Sequence, residues 1–170
     1  RKQTEETIKA SLKEKEVLLR EVYHRVKNNL QVIASLLSLQ ASSLKDPQAA
    51  TMFRESQNRV KAMALVHEKL YQSHNLANID FNTYIQSLVM SLLRSYGVLA
   101  NALAVNISVE NVSLSLDTAV PCGLLINELV SNVLKHAFGP PKDGKGELTI
   151  RLWPLGQDTY ELIVRDNGIG

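Results

Sequence analysis

The chain has 170 residues, of which 45% are hydrophobic and 21% charged, the composition of a globular protein with one medium domain or two small ones. Its formal net charge of +2 is too small to indicate a nucleic-acid-binding surface, and no dense lysine or arginine run indicates a polybasic membrane-binding segment. The single cysteine, Cys122, excludes an internal disulfide, and no apolar run reaches the roughly eighteen residues that span a membrane. We therefore expect a cytoplasmic protein without membrane contact in this segment.

The first half of the chain predicts a pair of long helices. No glycine or proline occurs from Thr4 to Ser43, and apolar residues recur there at spacings of three, four and seven. Asp46-Pro47 ends this helix and begins a second one that extends to about Ser73. The two helices form an antiparallel hairpin, whose apolar stripes would be covered completely in a dimeric four-helix bundle. The side chains expected inside that bundle are those of Val26, Ile33, Met63 and Leu70.

The second half of the chain alternates helices and strands. After a linker over 74–79, Asp80 is expected to cap a helix that Gly97 closes. The pattern predicts, in order, a helix over 81–96, strands over 104–109 and 112–116, a helix capped by Asp117 or Thr118 that extends to about 138, a loop over 139–146, and a hairpin of strands over 147–153 and 159–165. The fold class is therefore α+β, with helices against a mixed or antiparallel sheet.

His24 lies on the first helix, roughly 160° around the axis from the centre of the apolar stripe. A histidine that faces solvent from a rigid bundle is accessible to other domains, and its neutral imidazole can accept a phosphoryl group. The alternative is a surface histidine without a role. His67, in contrast, lies within roughly 40° of the centre of its helix's apolar stripe and is expected to pack at the edge of the bundle.

The residues around His24 resemble the phosphoacceptor box of one histidine kinase subfamily. The segment from Glu21 to Gln31 reads EVYHRVKNNLQ, and in that subfamily the histidine is followed by Arg-Val-Lys-Asn. The resemblance continues in the second helix over residues 58–71. It implies that His24 is the phosphoacceptor.

The position after His24 departs from the pattern of common histidine kinases. Those proteins have an acidic residue there as a proposed proton acceptor, whereas this chain has Arg25. The group that takes the proton from His24 is therefore open, with Glu21 and Glu128 as the alternatives.

A polar stripe follows one side of the predicted fourth helix, and apolar residues follow the other side. The stripe could be a solvated helix face. An asparagine is only a moderate helix former, however, and its amide oxygen is a suitable Mg²⁺ ligand, while a lysine one turn later could contact phosphate. The stripe consists of Glu128, Asn132, Lys135 and His136, opposite Ile126, Val130, Val133 and Ala137.

The segment from Leu125 to Ala137 resembles the N-box of the GHKL (Bergerat) ATPase superfamily, which includes gyrase, Hsp90, MutL and histidine kinases. The resemblance implies that Asn132 holds Mg²⁺ on the phosphates of ATP. It places Glu128 where relatives have a general base or a water-orienting group, and Lys135 and His136 against the phosphates. Asn127 projects towards the apolar side and is interpreted as structural.

The residues from Asp166 to Gly170 read DNGIG directly after a predicted strand. Alone they would predict a hairpin turn, but after an N-box they resemble the first glycine box of the same superfamily. The resemblance implies that Asp166 accepts the adenine amino hydrogen and that Gly168 and Gly170 allow the backbone to approach the nucleotide. The family's lid and second glycine box would follow Gly170, so we expect this segment alone to be inactive.

Three motifs in this order predict the core of a sensor histidine kinase that uses ATP and Mg²⁺. The predicted domains are a dimerisation and histidine phosphotransfer domain with a coiled-coil lead-in over 1–73, a linker over 74–79, and a C-terminally truncated ATP-binding α/β-sandwich domain over 80–170. The expected partners are a second copy of the chain, a response-regulator receiver domain and an upstream sensor domain. The alternatives are a non-enzymatic phosphotransfer protein with a degenerate ATP domain and an ATP-driven conformational machine of the gyrase or Hsp90 type.

Overall fold

A computed structural model describes residues 2–72, 79–98, 102–137, 146–157 and 159–168. Most of the predicted linker over 74–79 and of the predicted loop over 139–146 lies outside these residues. Ile79, at the end of the predicted linker, lies in a short strand. The predicted domain boundaries therefore stay predictions.

The first two helices form the predicted hairpin. Helix α1 extends over Lys2–Ser43 and helix α2 over Pro47–Gln72. Asp46 caps α2, because its side chain accepts a hydrogen bond from the backbone N–H of Gln48 at 3.0 Å and its carbonyl accepts from Ala50 at 3.0 Å. The helices are antiparallel. The Gln57 amide accordingly donates to the carbonyl of Ala34 at 3.1 Å.

The remaining helices and strands form a second layer on α2. They are β1 (Ile79–Asp80), α3 (Phe81–Ser95), β2 (Leu103–Val109), β3 (Ser113–Leu114), α4 (Leu116–Asn132), a π-helical turn (Val133–Ala137), β4 (Gly146–Gly156) and β5 (Thr159–Asp166). The predicted cap of α3 is confirmed, since the Asp80 carboxylate accepts a hydrogen bond from the backbone of Thr83 at 3.2 Å. Gly97 lies just after the end of α3 and has φ +66°, a conformation that favours glycine.

Three details of the predicted elements are wrong. Helix α4 begins two or three residues earlier than expected. Ser115, not Asp117 or Thr118, occupies the cap position, and its carbonyl accepts hydrogen bonds from Thr118 and Ala119 at 3.2 and 2.8 Å. This early start shortens the predicted strand over 112–116 to the two residues of β3. The helix also changes from α to π geometry at Val133 instead of continuing regularly.

The strands form a mixed sheet of order β2-β4-β5, one of the two predicted alternatives. Strand β2 is parallel to β4, with Ile107 opposite Ile150, and β4 is antiparallel to β5 in the predicted hairpin. A separate two-stranded pairing joins β1 to β3. The α+β fold class is confirmed.

The hydrophobic core lies between the sheet and helices α2, α3 and α4. Its largest fully buried side chains are those of Phe81, Tyr84, Ile85, Val89, Ile126, Val130, Leu148, Ile150, Leu152 and Val66. Val66 and the buried Ala62 belong to α2, so one face of the hairpin is part of this core. That packing brings the polar residues of α2 next to α4. None of the described helices is long and apolar enough to cross a membrane.

Candidate functional site

His24 lies near the middle of α1 and is half-buried, not fully solvent-facing as predicted. Helix α2 covers the face of α1 that includes Tyr23, Lys27, Leu30 and the fully covered Ala34. This face is rotated by roughly 70° from the predicted centre of the stripe, towards His24. The same rotation leaves part of the apolar stripe of α1 exposed.

His67 packs between the helices, as predicted. Its ring lies 6.0 Å from the ring of Tyr23, and its buried Nδ1 atom has no hydrogen-bond partner among the described residues. Burial lowers the pKa of His67, so the neutral form is favoured. These surroundings suit a packing role.

Glu21 and Arg25 form an exposed ion pair one turn apart on α1. The Arg25 Nε atom donates to Glu21 Oε1 at 2.8 Å. This hydrogen bond is the main reason that the pKa of Glu21 is lowered, and the charge of the nearby His24 contributes in the same direction. Glu21 is therefore a carboxylate close to the predicted phosphoacceptor.

Glu128, on α4, is bound by Arg59 of α2. The guanidinium donates to Oε1 at 2.6 Å from Nε and to Oε2 at 2.9 Å from its terminal nitrogen. The amide of Asn127 donates to Oε1 at 3.1 Å. The hydrogen bond from Arg59 is the main cause of the lowered pKa of Glu128. Glu128 is consequently held as an anion.

Lys135 is bound by α2 in the same way. Its Nζ atom lies 2.6 Å from Oε1 of Glu55, and both side chains are mostly covered. Asn132 and His136 are exposed on this side of α4 and the π-helical turn. The four residues expected on the other side are all buried, which confirms the two-sided pattern: Ile126, Val130, Val133 and Ala137. Asn127 is also buried, as its structural interpretation predicted.

The turn after β5 lies directly against the end of the π-helical turn. Gly168 is so close to Ala137 that a β-carbon on it would overlap the Ala137 carbonyl oxygen and lie 2.7 Å from the carbonyl carbon. The backbone N–H of Gly168 donates to the half-buried Asp166 carboxylate at 2.9 Å. The structure thus joins the two segments that were predicted to bind nucleotide. Gly170 lies outside the described residues.

The described residues contain no group of three or more His, Cys, Asp or Glu side chains that could hold a metal ion alone. The amide of Asn132 is exposed and accessible. A Mg²⁺ ion at Asn132 would therefore take its other ligands from phosphate oxygens and water, which is its usual arrangement at nucleotide sites.

The contacts of Glu55 and Arg59 with the predicted nucleotide residues were not predicted from sequence. Both lie on α2, within or beside the segment that resembles the phosphoacceptor region, and their partners are 80 and 69 residues away in the chain. The sequence signal for these contacts was the presence of two charged residues on the same face of α2 as the apolar Ala62 and Val66.

Residues 21–96 match the histidine kinase family HisKA_2. The chain is 32% identical over 157 residues to sensor histidine kinase PdtaS of Mycobacterium tuberculosis, covering 92% of this chain and 30% of that protein. It is 29% identical over 160 residues to blue-light-activated histidine kinase 2 of Erythrobacter litoralis, covering 89% of this chain and 43% of that protein. The chain thus spans about a third of the first of these relatives.

A solved structure has a similar fold. The histidine kinase domain of the E. litoralis EL346 blue-light-activated histidine kinase superposes with a TM-score of 0.58 at 27% identity, covering 88% of this chain and 68% of that domain. The family match, the curated relatives and this solved structure together support a histidine kinase.

Proposed function

We propose that this chain is the core of an ATP-dependent protein-histidine kinase, which phosphorylates its own His24 and passes the phosphoryl group to an aspartate of a response-regulator receiver domain. One observation carries the proposal: Gly168 packs on Ala137 and so joins the two nucleotide-binding motifs, in a chain whose residues 21–96 match a histidine kinase family. In this function the chain works in the cytoplasm, downstream of a sensor domain, in a two-component system.

His24 supplies the nucleophile. The lone-pair nitrogen of its neutral imidazole attacks the γ-phosphorus of ATP, an N–P bond forms, and the bond from phosphorus to the bridging oxygen of ADP breaks. The electron pair of that bond leaves with ADP, and the imidazole loses the proton of its other nitrogen. The receiver aspartate then attacks the same phosphorus, the N–P electron pair returns to the imidazole, and the ring takes up a proton.

Glu21 is the better placed of the two predicted proton acceptors. It lies one helical turn before His24 on the same helix, α1. Glu128 is instead on α4, in the ATP-binding half of the chain, and not on the helix that carries His24. We assign proton removal to Glu21 and a role beside the phosphates to Glu128.

The nucleotide would lie between α4 and the turn after β5. Asp166 would accept the adenine amino hydrogen, and the missing side chain at Gly168 lets the turn that carries Asp166 pack directly against Ala137. Lys135 supplies a cation for phosphate oxygens once it is free of Glu55. The full set assigned to nucleotide binding is Glu128, Asn132, Lys135, His136, Asp166, Gly168 and Gly170.

Asn132 is the residue of this chain that would hold Mg²⁺, since its amide oxygen is exposed on the nucleotide side of α4. When bound, Mg²⁺ would neutralise the negative charge that develops on the phosphates during transfer. Asn132 thereby fixes where the phosphate chain lies relative to Lys135.

A second copy of the chain would cover the exposed apolar side of α1. Four large apolar side chains on this side of α1 are each about half exposed or more: Val22, Val32, Ile33 and Leu36. When two hairpins pack together through these faces they form a four-helix bundle, and such residues become part of its core. We therefore propose a homodimer through α1.

Transfer of labelled phosphate tests the proposed function. We expect full-length protein incubated with γ-labelled ATP and Mg²⁺ to gain label that is stable to base and labile to acid, as a phosphoramidate is. His24→Gln should abolish the label, whereas His67→Gln, in the packed histidine, should retain it. Label that persists in His24→Gln contradicts the assignment. Absence of label from ATP, with label accepted from another kinase, would support a non-enzymatic phosphotransfer protein instead.

A further inference from the structure

Two ion pairs connect α2 to the residues of α4 and the π-helical turn that are assigned to the nucleotide. Arg59 binds Glu128 with two hydrogen bonds of 2.6 and 2.9 Å, and Glu55 binds Lys135 at 2.6 Å. Both α2 residues are one turn apart on a single face, and Ala62 and Val66 of that face are buried in the core. The contact is therefore an extended docking of α2 and not an isolated surface pair. We call Glu55 and Arg59 the α2 latch.

The α2 latch uses the charges that a nucleotide would need. The Glu55 carboxylate accepts a hydrogen bond from the ammonium group of Lys135, where phosphate oxygens would otherwise accept it. Its negative charge also opposes a triphosphate at the same place. Arg59 holds Glu128 by both carboxylate oxygens, so this carboxylate is turned to α2. The latch and a bound nucleotide thus compete for the same side chains.

The docked position is also far from the phosphoacceptor. The register of the hairpin sets Tyr23 beside His67 and Ala34 beside Gln57, so His24 is level with about residue 67 of α2. Arg59 is eight residues away from that level and Glu55 is twelve, which corresponds to about 12 and 18 Å along the helix at 1.5 Å per residue. Phosphoryl transfer requires the ATP-binding half to move towards His24.

We propose that the α2 latch is an autoinhibitory contact: Glu55 and Arg59 hold Lys135 and Glu128 away from nucleotide, and nucleotide binding releases the ATP-binding half to reach His24. This inference rests on the proposed nucleotide site. The latch ties two events together, since the same ion pairs must break for the phosphates to bind and for the helices to separate. A sensor that shifts α2 would then change the affinity for ATP without touching the nucleotide.

Binding of a non-hydrolysable ATP analogue with Mg²⁺ to the full-length protein tests the latch by calorimetry. We expect Arg59→Ala and Glu55→Gln each to lower Kd about three- to tenfold, because partly exposed ion pairs are of modest strength. Arg59→Lys, which keeps the charge, should change Kd less than Arg59→Ala. Arg54→Ala, in the exposed neighbouring arginine, should leave Kd unchanged.

Unchanged or weaker binding by Arg59→Ala and Glu55→Gln, beside a wild type that binds, overturns the latch and leaves the proposed function standing. Failure of the wild type and all variants to bind overturns both.

A zero-length carbodiimide cross-link provides a test without mutation. The Glu55 carboxylate and the Lys135 amine are close enough to be joined as an amide, and peptide mass spectrometry would identify the link. We expect the link in nucleotide-free protein and a several-fold loss of it at saturating analogue. Equal yields with and without the analogue, or no link in nucleotide-free protein, overturn the proposal.

Discussion

Replacement of Gly123 by alanine is expected to destabilise the protein, although alanine is the better helix former. Gly123 is buried inside α4, and a β-carbon on it would overlap the hydroxyl of Tyr84 and lie 2.7 Å from Cζ and 2.9 Å from Cε1 of that ring. Tyr84 is fully buried, and its hydroxyl donates to the carbonyl of Ala62 at 3.4 Å. The ring therefore cannot turn into solvent, and α4 or α3 must shift.

Two opposing contributions set the change in the free energy of unfolding. Glycine to alanine in a helix interior stabilises by about 1 kcal/mol. An extra carbon forced into a packed core costs about 1–3 kcal/mol. Because Tyr84 is enclosed on all sides, we expect a cost near the upper limit. The net result is a loss of about 2 kcal/mol.

Urea unfolding followed by far-ultraviolet circular dichroism measures this loss. Gly156→Ala is the matched control, since among the described residues nothing lies within 4 Å of a β-carbon there, and its stability should change by less than about 0.5 kcal/mol. The double variant Gly123→Ala/Tyr84→Phe should lose less than the sum of the single losses, because the overlapping hydroxyl is gone. A Gly123→Ala protein as stable as the wild type would refute the packing described for α3 and α4.

Three further predictions concern the dimer, a buried histidine and the glycine turn. Ile33→Glu should convert a dimer of the full-length protein to a monomer in light scattering, and Ser35→Glu, on the other side of α1, should not. Burial lowers the pKa of His67 in the folded state, so only the unfolded state gains a proton as the pH falls through about 6.5; stability should decline below that pH, and His67→Gln should reduce the decline in unfolding experiments. Gly168→Ala should weaken binding of an ATP analogue at least tenfold in calorimetry, because its β-carbon would displace the turn from Ala137. A retained dimer, an unchanged pH profile or an unchanged Kd would contradict the respective prediction.

The helices could be predicted from sequence because their signals are local. The uninterrupted stretch before Ser43, the Asp46-Pro47 break and the cap at Asp80 each act within a few residues, and the structure confirms all three. The start of α4 was predicted two or three positions late, since Ser115, Asp117 and Thr118 are all good capping residues. Only the extended backbone of Ser115 decides among them.

The partners of the site residues could not be predicted, because they are set by how the layers pack. Periodicity placed Glu128 and Lys135 on one side of a helix correctly, but it contains no information on which element faces that side. The bonds of Glu128 to Arg59 and of Lys135 to Glu55 follow from the docking of α2 on the core through Val66. The partial burial of His24 also depends on tertiary packing, because it follows from which face of α1 is covered by α2.

The π-helical turn over Val133–Ala137 has a consequence for how the gene can change. A π turn contains one residue more than the α turn it replaces. It is therefore equivalent to the insertion of a single codon into a helix that continues on both sides of the inserted residue. Deletion of one residue here would restore regular α-helix and rotate everything after it, separating Lys135 from Asn132 and moving Ala137 away from Gly168. Single-residue length changes between Asn132 and Ala137 should therefore be selected against.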